Sequence, residues 1–291
     1  MAVTQSLVPL TPLRMAMALA LMVIMALASA KLRLGLEKNI FIGSFRTTAQ
    51  LLVLGLLLHP IFLENKPWIV LLYLALMILL AARECYARPR FEYRGMWGRI
   101  LLTMLLSTFS TAAWGFFLVL GFDPWWDAMY VIPITGMLLG NTINGITLAN
   151  DSILTELCER RDRLERNLAM GATVSEATSE AARIAVRTGI TPVLNSMSVI
   201  GLVSIPGMMT GQILGGTTPM QAALYQMMIM FLIAFNVMFA TVLTTTFAIA
   251  AAFDSRGRLQ HGLIRRRAGK KLDLVVAAVR WLCTCCSAEA D

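Results

Sequence analysis

Acidic residues are scarce: there are 17 Asp and Glu in 291 residues, all placed in loops, tails or at the edges of apolar runs. Proton- and sodium-coupled carriers use buried carboxylates as relays and ion ligands, so this shortage argues against such a carrier. Histidine is scarcer still. His59 ends an apolar run, His261 lies near the C-terminus, and there is no H-E-x-x-H pair of the kind an intramembrane metalloprotease needs. No G-x-x-x-x-G-K-[ST] occurs either; GKK at 269–271 lacks the upstream glycine and the hydroxyl residue. The chain therefore has no Walker-type nucleotide site and is expected to bind no cofactor itself. No nucleophile–base pairing or metal-ligand cluster emerges, so an enzyme is the least supported class and no metal ligands are assigned. Charge as a whole is 14%, against roughly 25% in soluble domains, which excludes an ordinary soluble protein.

What the chain has instead is apolar length. Stretches near 18–20 residues are candidates to span a bilayer, and seven are read here: 13–30, 41–59, 67–82, 100–120, 128–149, 190–215 and 220–252. Lys and Arg test that division, because cytoplasmic loops carry them in excess. Of the 25, 22 fall in loops 31–40, 82–99 and 150–189 and in the tail from 253. The parity predicts an all-α, multi-pass protein of the cytoplasmic membrane, with its N-terminus outside and its C-terminus in the cytoplasm. The net charge of +8 is then a topology signal that needs no nucleic-acid partner. An A-S-A at 28–30 mimics a signal-peptidase site, but the first thirteen residues lack Lys and Arg, and a signal peptide needs a positive n-region.

Two regions divide the chain: a membrane domain over 1–260 and a basic, Cys-bearing tail over 261–291. The tail reads as an amphipathic stretch for the inner leaflet. Its Cys283, Cys285 and Cys286 are palmitoylation sites, a soft-metal tract or ordinary reduced thiols. The largest cytoplasmic element is 151–189. Apolar residues at 153, 157, 164 and 168 keep one helical face. Gly171 interrupts it, Thr173 and Glu176 have capping-box spacing, and a second helix follows until Thr191-Pro192 opens the next span. This hairpin reads either as a solvated connector or as a docking surface.

Inside the spans the chemistry is neutral and polar. Arg46 and Gln50 lie four apart in span two; Asn141 and Asn144 lie in span five, Asn195 and Gln212 in span six, Gln226 and Asn236 in span seven. Arg46 either faces protein and substrate or snorkels to the interface. The amides mostly join neighbouring helices, with a few lining a path. "SIPGMMTGQILGG" places Gly207, Gly211 and Gly215 at a four-residue step behind Pro206. In a bilayer such a face allows two helices to approach closely, and a proline frees the carbonyl of Leu202 toward the bundle interior. Span five repeats the theme with Pro133, Gly136 and Gly140. Paired Pro/Gly-interrupted spans point to a transporter's binding region. Met137, Met208 and Met209 sit beside these glycines, as core filler or as soft ligands.

Several segments taken together ("FRTTAQLLVLG", "VIPITGMLLGN", "LAMGATVSEA" and "GLVSIPGMMTGQILGGTTPMQAALYQ") resemble the FetB/YbbM-type membrane permease family, over about residues 15–260. That family is associated with iron export in bacteria and aluminium tolerance in plant relatives. The resemblance implies the permease subunit of an ABC-type metal exporter, with ATP and magnesium held by a separate ATPase subunit, and it agrees with the missing Walker motif. It implies docking through Gly171, Ala172 and Thr173, extended here to Glu176, Arg183 and Arg187, although Pro192 comes later than in the importer pattern. Two copies are expected to form the pathway, lined by Arg46, Gln50, Met137, Asn141, Asn144, Met208, Met209 and Gln212. The rival classes are an ATP-independent channel or facilitator, and a membrane scaffold in metal-stress resistance that works through 151–189.

Overall fold

The computed structural model describes residues 11–121, 123–254, 258 and 264–266. They divide into two units. The first comprises α1 (Pro12–Lys31) and α2 (Glu37–Glu64), packed on each other. Proline at the first turn starts α1, where its missing N–H costs nothing. The turn between the helices uses left-handed backbone at Arg33 and Gly35. Buried Ser29 ties the turn down: its hydroxyl donates to Glu37 Oε1 at 3.1 Å and accepts the Leu36 N–H at 3.2 Å. No residue of α2 is buried.

The second unit carries α3 (Pro67–Ala87), β1 (Phe91–Tyr93), α4 (Met96–Ala113), α5 (Ala128–Glu159), α6 (Arg161–Ala169), α7 (Val174–Val199), α8 (Gly207–Leu214), α9 (Pro219–Ala252) and β2 (Ile264–Arg266). A π-helical stretch, Trp114–Leu120, extends α4. The chain is an all-α membrane protein: among the described residues six helices are long and apolar enough to cross a bilayer, namely α1, α2, α3, α4 with its extension, α5 and α9. Helices α5, α7 and α9 pack mutually, with α3 against α5 and α4 against α9. The two short strands pair antiparallel, Glu92 opposite Arg265. The boundary read at 260 and the three tail cysteines lie outside the described residues.

The sixth expected span, 190–215, is not one helix. Helix α7 runs through Pro192 to Val199, the chain turns over 200–206, and α8 follows with only eight residues. Pro206 therefore does not kink a continuous helix. It is the N-cap of α8, and its carbonyl accepts the Thr210 N–H at 3.0 Å. Leu202 lies in the turn, not one helical turn upstream, and its N–H donates to the Val199 carbonyl.

The close helix packing lies elsewhere than expected. A Cβ added at Gly207 or Gly211 meets nothing within 4 Å, and one at Gly215 meets only carbonyls of its own turn. Helix α8 is too short to build a long small-residue seam. Gly140 also borders open space, while a Cβ added at Gly136 would fall 3.3 Å from the Met77 methyl. The tight crossing is between Gly145 on α5 and Gly189 on α7: a Cβ at Gly189 falls 2.8 Å from the Gly145 carbonyl oxygen and 2.6 Å from Thr241 Cγ2 on α9. Ala177, Ala181, Ala185 and Gly189 make a buried four-residue stripe on α7, which brings the three backbones together.

Candidate functional site

Two features have the form of functional sites. The first is the helical hairpin after α5. Ile153 and Leu157 are buried on α5 and Leu164 on α6, as their helical spacing predicts. Gly171 takes a φ of +93°, a left-handed turn that suits glycine. Thr173 then caps α7: its Oγ1 accepts the Glu176 N–H at 3.3 Å, and Glu176 Oε2 accepts the Thr173 N–H at 2.8 Å. The Thr173 N–H and the Thr173 hydroxyl, each donating to Glu176 Oε2 at 2.8 Å, hold the exposed Glu176 carboxyl below the usual carboxylate range, the backbone N–H contributing most. Arg163 on α6 reaches across to Glu180 on α7 at 2.7 Å, and Arg161 pairs with Glu165 at 2.9 Å. Gly171, Thr173, Glu176, Arg183 and Arg187 are exposed, and Ala172 is half-buried. Helix α6 presents four charged groups on one short segment: Arg161, Asp162, Arg163 and Arg166 are exposed or nearly so.

The second feature is a cavity of 420 Å³ at the break between α7 and α8. The end of α7 supplies Met197; the turn supplies Ile200, Gly201, Ser204 and Ile205; Pro206 and Met209 come from the start of α8; and Ala223, Gln226, Met227, Met230 and Phe231 come from α9. The α9 residues follow the spacing i, i+3, i+4, i+7, i+8, one face of a helix. Gln226 is 6% exposed, and its Oε1 has no hydrogen-bond partner.

Of the residues expected to line a path, only Met209 lines this cavity, with Pro206 beside it. Met208 and Gln212 are half-buried on α8, and Gln212 Oε1 has no hydrogen-bond partner. Asn141 turns back on its own helix, donating to the Met137 carbonyl at 2.9 Å. Asn144 is exposed and accepts from Arg88 Nη1 at 3.1 Å, so it fastens α3 to α5. Pro133 is exposed within a continuous α5. Arg46, half-buried, and Gln50, exposed, belong to α2 in the first unit. The expectation that amides join helices holds for Asn236. It is fully buried, accepts from the Thr111 hydroxyl at 3.1 Å and donates to Thr142 Oγ1 at 2.7 Å, tying α4, α5 and α9 together. Met197, Met227 and Met230 were not singled out from sequence. The signal was present in the spacing of 223, 226, 227, 230 and 231, once α9 is read as one face toward the break.

Among the described residues no cluster of three or more His, Cys, Asp or Glu is placed to hold a metal ion. The two described cysteines are free, Cys85 buried and Cys158 half-buried.

Residues 12–253 match the family described as Uncharacterised protein family (UPF0014). A UPF0014 membrane protein of Synechocystis is 35% identical over 214 residues, 74% of this chain and 83% of that protein. The probable iron export permease protein FetB of Escherichia coli is 28% identical over 231 residues, 79% of this chain and 88% of its own length. Protein ALUMINUM SENSITIVE 3 of Arabidopsis thaliana is 35% identical over 202 residues, 68% of this chain and 71% of its own. No solved structure matches. With the matched region running from the first helix to the end of α9, the chain belongs to the UPF0014 family of membrane proteins.

Proposed function

We propose that this chain is the permease subunit of an ABC-type exporter of a metal ion, iron or another, energised by a separate ATPase subunit. One observation carries the proposal. Helices α5 and α7 meet in a hairpin tipped by the nine-residue α6, which is charged, amphipathic and braced by the Arg163–Glu180 ion pair. Such a short helix, held rigidly across the ends of two longer ones, suits reception of force from a partner. The similarity to a probable iron export permease over 88% of that protein supports the cargo class.

In this reading the Lys and Arg parity puts the hairpin in the cytoplasm. The ATPase, carrying ATP and magnesium, docks on α6 and the Gly171–Glu176 turn, with Arg183 and Arg187 on the exposed side of α7. Two copies of the chain form the pathway in the cytoplasmic membrane. The glycines at 207 and 211, open within one chain, are available to the second copy.

The test is to purify the tagged chain in mild detergent and identify what accompanies it. The expected result is an ATP-binding subunit that is lost when Arg163 and Arg166 are replaced by Glu, with ATP turnover raised by metal. A chain that purifies alone and moves ions in liposomes without ATP would overturn the proposal in favour of a facilitator.

A further inference from the structure

The cavity at the α7–α8 break contains a donor set of one kind. Four of its lining residues are methionines: Met197, Met209, Met227 and Met230. They come from three different elements, so they converge by folding and not by a run in the sequence. Among the described residues no carboxylate, histidine or cysteine lines the cavity. Its polar side chains are Ser204 and Gln226. Gln226 is more than nine-tenths buried, yet its Oε1 accepts no hydrogen bond. A buried amide oxygen without a partner has lost its hydration with nothing in return, a loss that a bound electron-pair acceptor would relieve.

We infer that this cavity binds a soft, monovalent, closed-shell metal cation of the copper(I) class through its methionine thioethers, with Gln226 Oε1 as the neighbouring oxygen donor. Ligand chemistry selects the cation. Thioethers are neutral, polarisable donors that suit copper(I), whereas hard divalent and trivalent ions require clustered oxygen ligands. One amide oxygen and one hydroxyl do not provide such a cluster. Low charge fits as well, because desolvating a multiply charged ion among neutral side chains costs far more than desolvating a single charge. The volume is ample for one ion with side-chain adjustment, since methionine has three rotatable bonds with which to close on it. The helix dipoles at the rim, the C-terminal end of α7 and the N-terminal end of the short α8, oppose one another, so the donor set decides the charge preference. As a binding site the inference stands on the cavity; as the exporter's cargo site it rests on the permease reading above.

The test uses the full chain with Cys158, Cys283, Cys285 and Cys286 replaced by Ser, because accessible thiols would compete for the same ion; Cys85 is buried and stays. Silver(I), supplied as its nitrate under chloride-free conditions, is a redox-inert probe. Retained silver is counted by mass spectrometry after desalting, and methionine methyl carbons labelled with carbon-13 are followed by NMR. The expected result is silver held by each chain with shifted methyl signals. Met209→Leu and Met227→Leu, which conserve volume, should each weaken binding by about tenfold, while Met238→Leu, on the exposed side of α9, leaves it unchanged. No retained silver, or retention that both cavity substitutions leave intact, would overturn the inference. Co-purification of the ATPase is read on the same preparation. Silver binding without an ATPase would sink the exporter reading alone; an ATPase without silver binding would sink the cavity assignment alone.

Discussion

Replacing Gly189 by alanine probes the crossing on which the second unit is built. The added Cβ would lie 2.6 Å from Thr241 Cγ2, 2.8 Å from the Gly145 carbonyl oxygen and 3.2 Å from Ala149 Cβ. Carbon contacts settle near 3.5–4.0 Å, so all three neighbours must move. Thr241 is fully buried and β-branched, with little rotamer freedom in a helix. The carbonyl is backbone and moves only with α5. Overpacking of this kind costs about 1–3 kcal/mol, while alanine recovers nearly ~1 kcal/mol of helix propensity over glycine. Because a backbone atom is involved, the upper half of the range applies and the net loss is about 1–2 kcal/mol. Gly98→Ala on α4 is the matched control: its Cβ meets open space, leaving only the propensity gain. Thermal melting of the two variants in one detergent, followed by tryptophan fluorescence, should place Gly189→Ala below the parent and Gly98→Ala level with it or above. Adding Thr241→Ser, which deletes the clashing methyl, should restore part of the loss. A Gly189→Ala protein as stable as the parent would refute the close crossing.

Asn236→Leu should cost about 1–2 kcal/mol, because the Thr111 hydroxyl loses its acceptor and Thr142 its donor in a buried site; denaturation in mixed micelles reads it, and an unchanged midpoint would show that the network adds nothing. The capping box gives a pH dependence. The folded Glu176 carboxyl is held below its usual range, so its contribution is complete above the ordinary carboxylate pKa and is lost as pH falls through the folded value. Hydrogen-exchange protection in the first turn of α7 should therefore drop in acid in the parent. In Glu176→Gln it should be lower at neutral pH and flat with pH.

The apolar runs and the hairpin with its cap were legible because each depends on local pattern: length for a span, Thr173-x-x-Glu176 for a helix start, and the spacing of Ile153, Leu157 and Leu164 for a buried face. The broken sixth span was not. Pro206 and three glycines read equally as a kink within a helix or as its end, and only the turn at 200–206 separates the two. The glycine step at 207–215 drew attention from the quieter one at Ala177, Ala181, Ala185 and Gly189. Alanine is an ordinary helix residue, and a stripe of it becomes a packing seam only when another backbone arrives, as Gly145 does. The cavity was half legible. Met209 stands beside the glycines in the sequence, but Met197, Met227 and Met230 join it through tertiary contact, which sequence spacing within one helix does not report. Asn141 and Asn144 show that a polar residue in a span can satisfy a nearby carbonyl or an arginine of another helix.

Helix α9 runs without interruption for 34 residues, a rod of about 51 Å. It carries the cavity's Gln226, Met227 and Met230 near its first turns and packs against α5 and α7. A stiff rod acts as a lever. A tilt of about 10° about its middle swings each end through about 4 Å and moves Met227, about 13 Å from the middle, through about 2 Å. The joint at 200–206 is the opposite kind of part, a hydrogen-bonded corner at which the chain leaves one helix axis for another. Coupled to a motor at one end, this pair would gate the other end by geometry alone, with no proton and no buried carboxylate in the linkage.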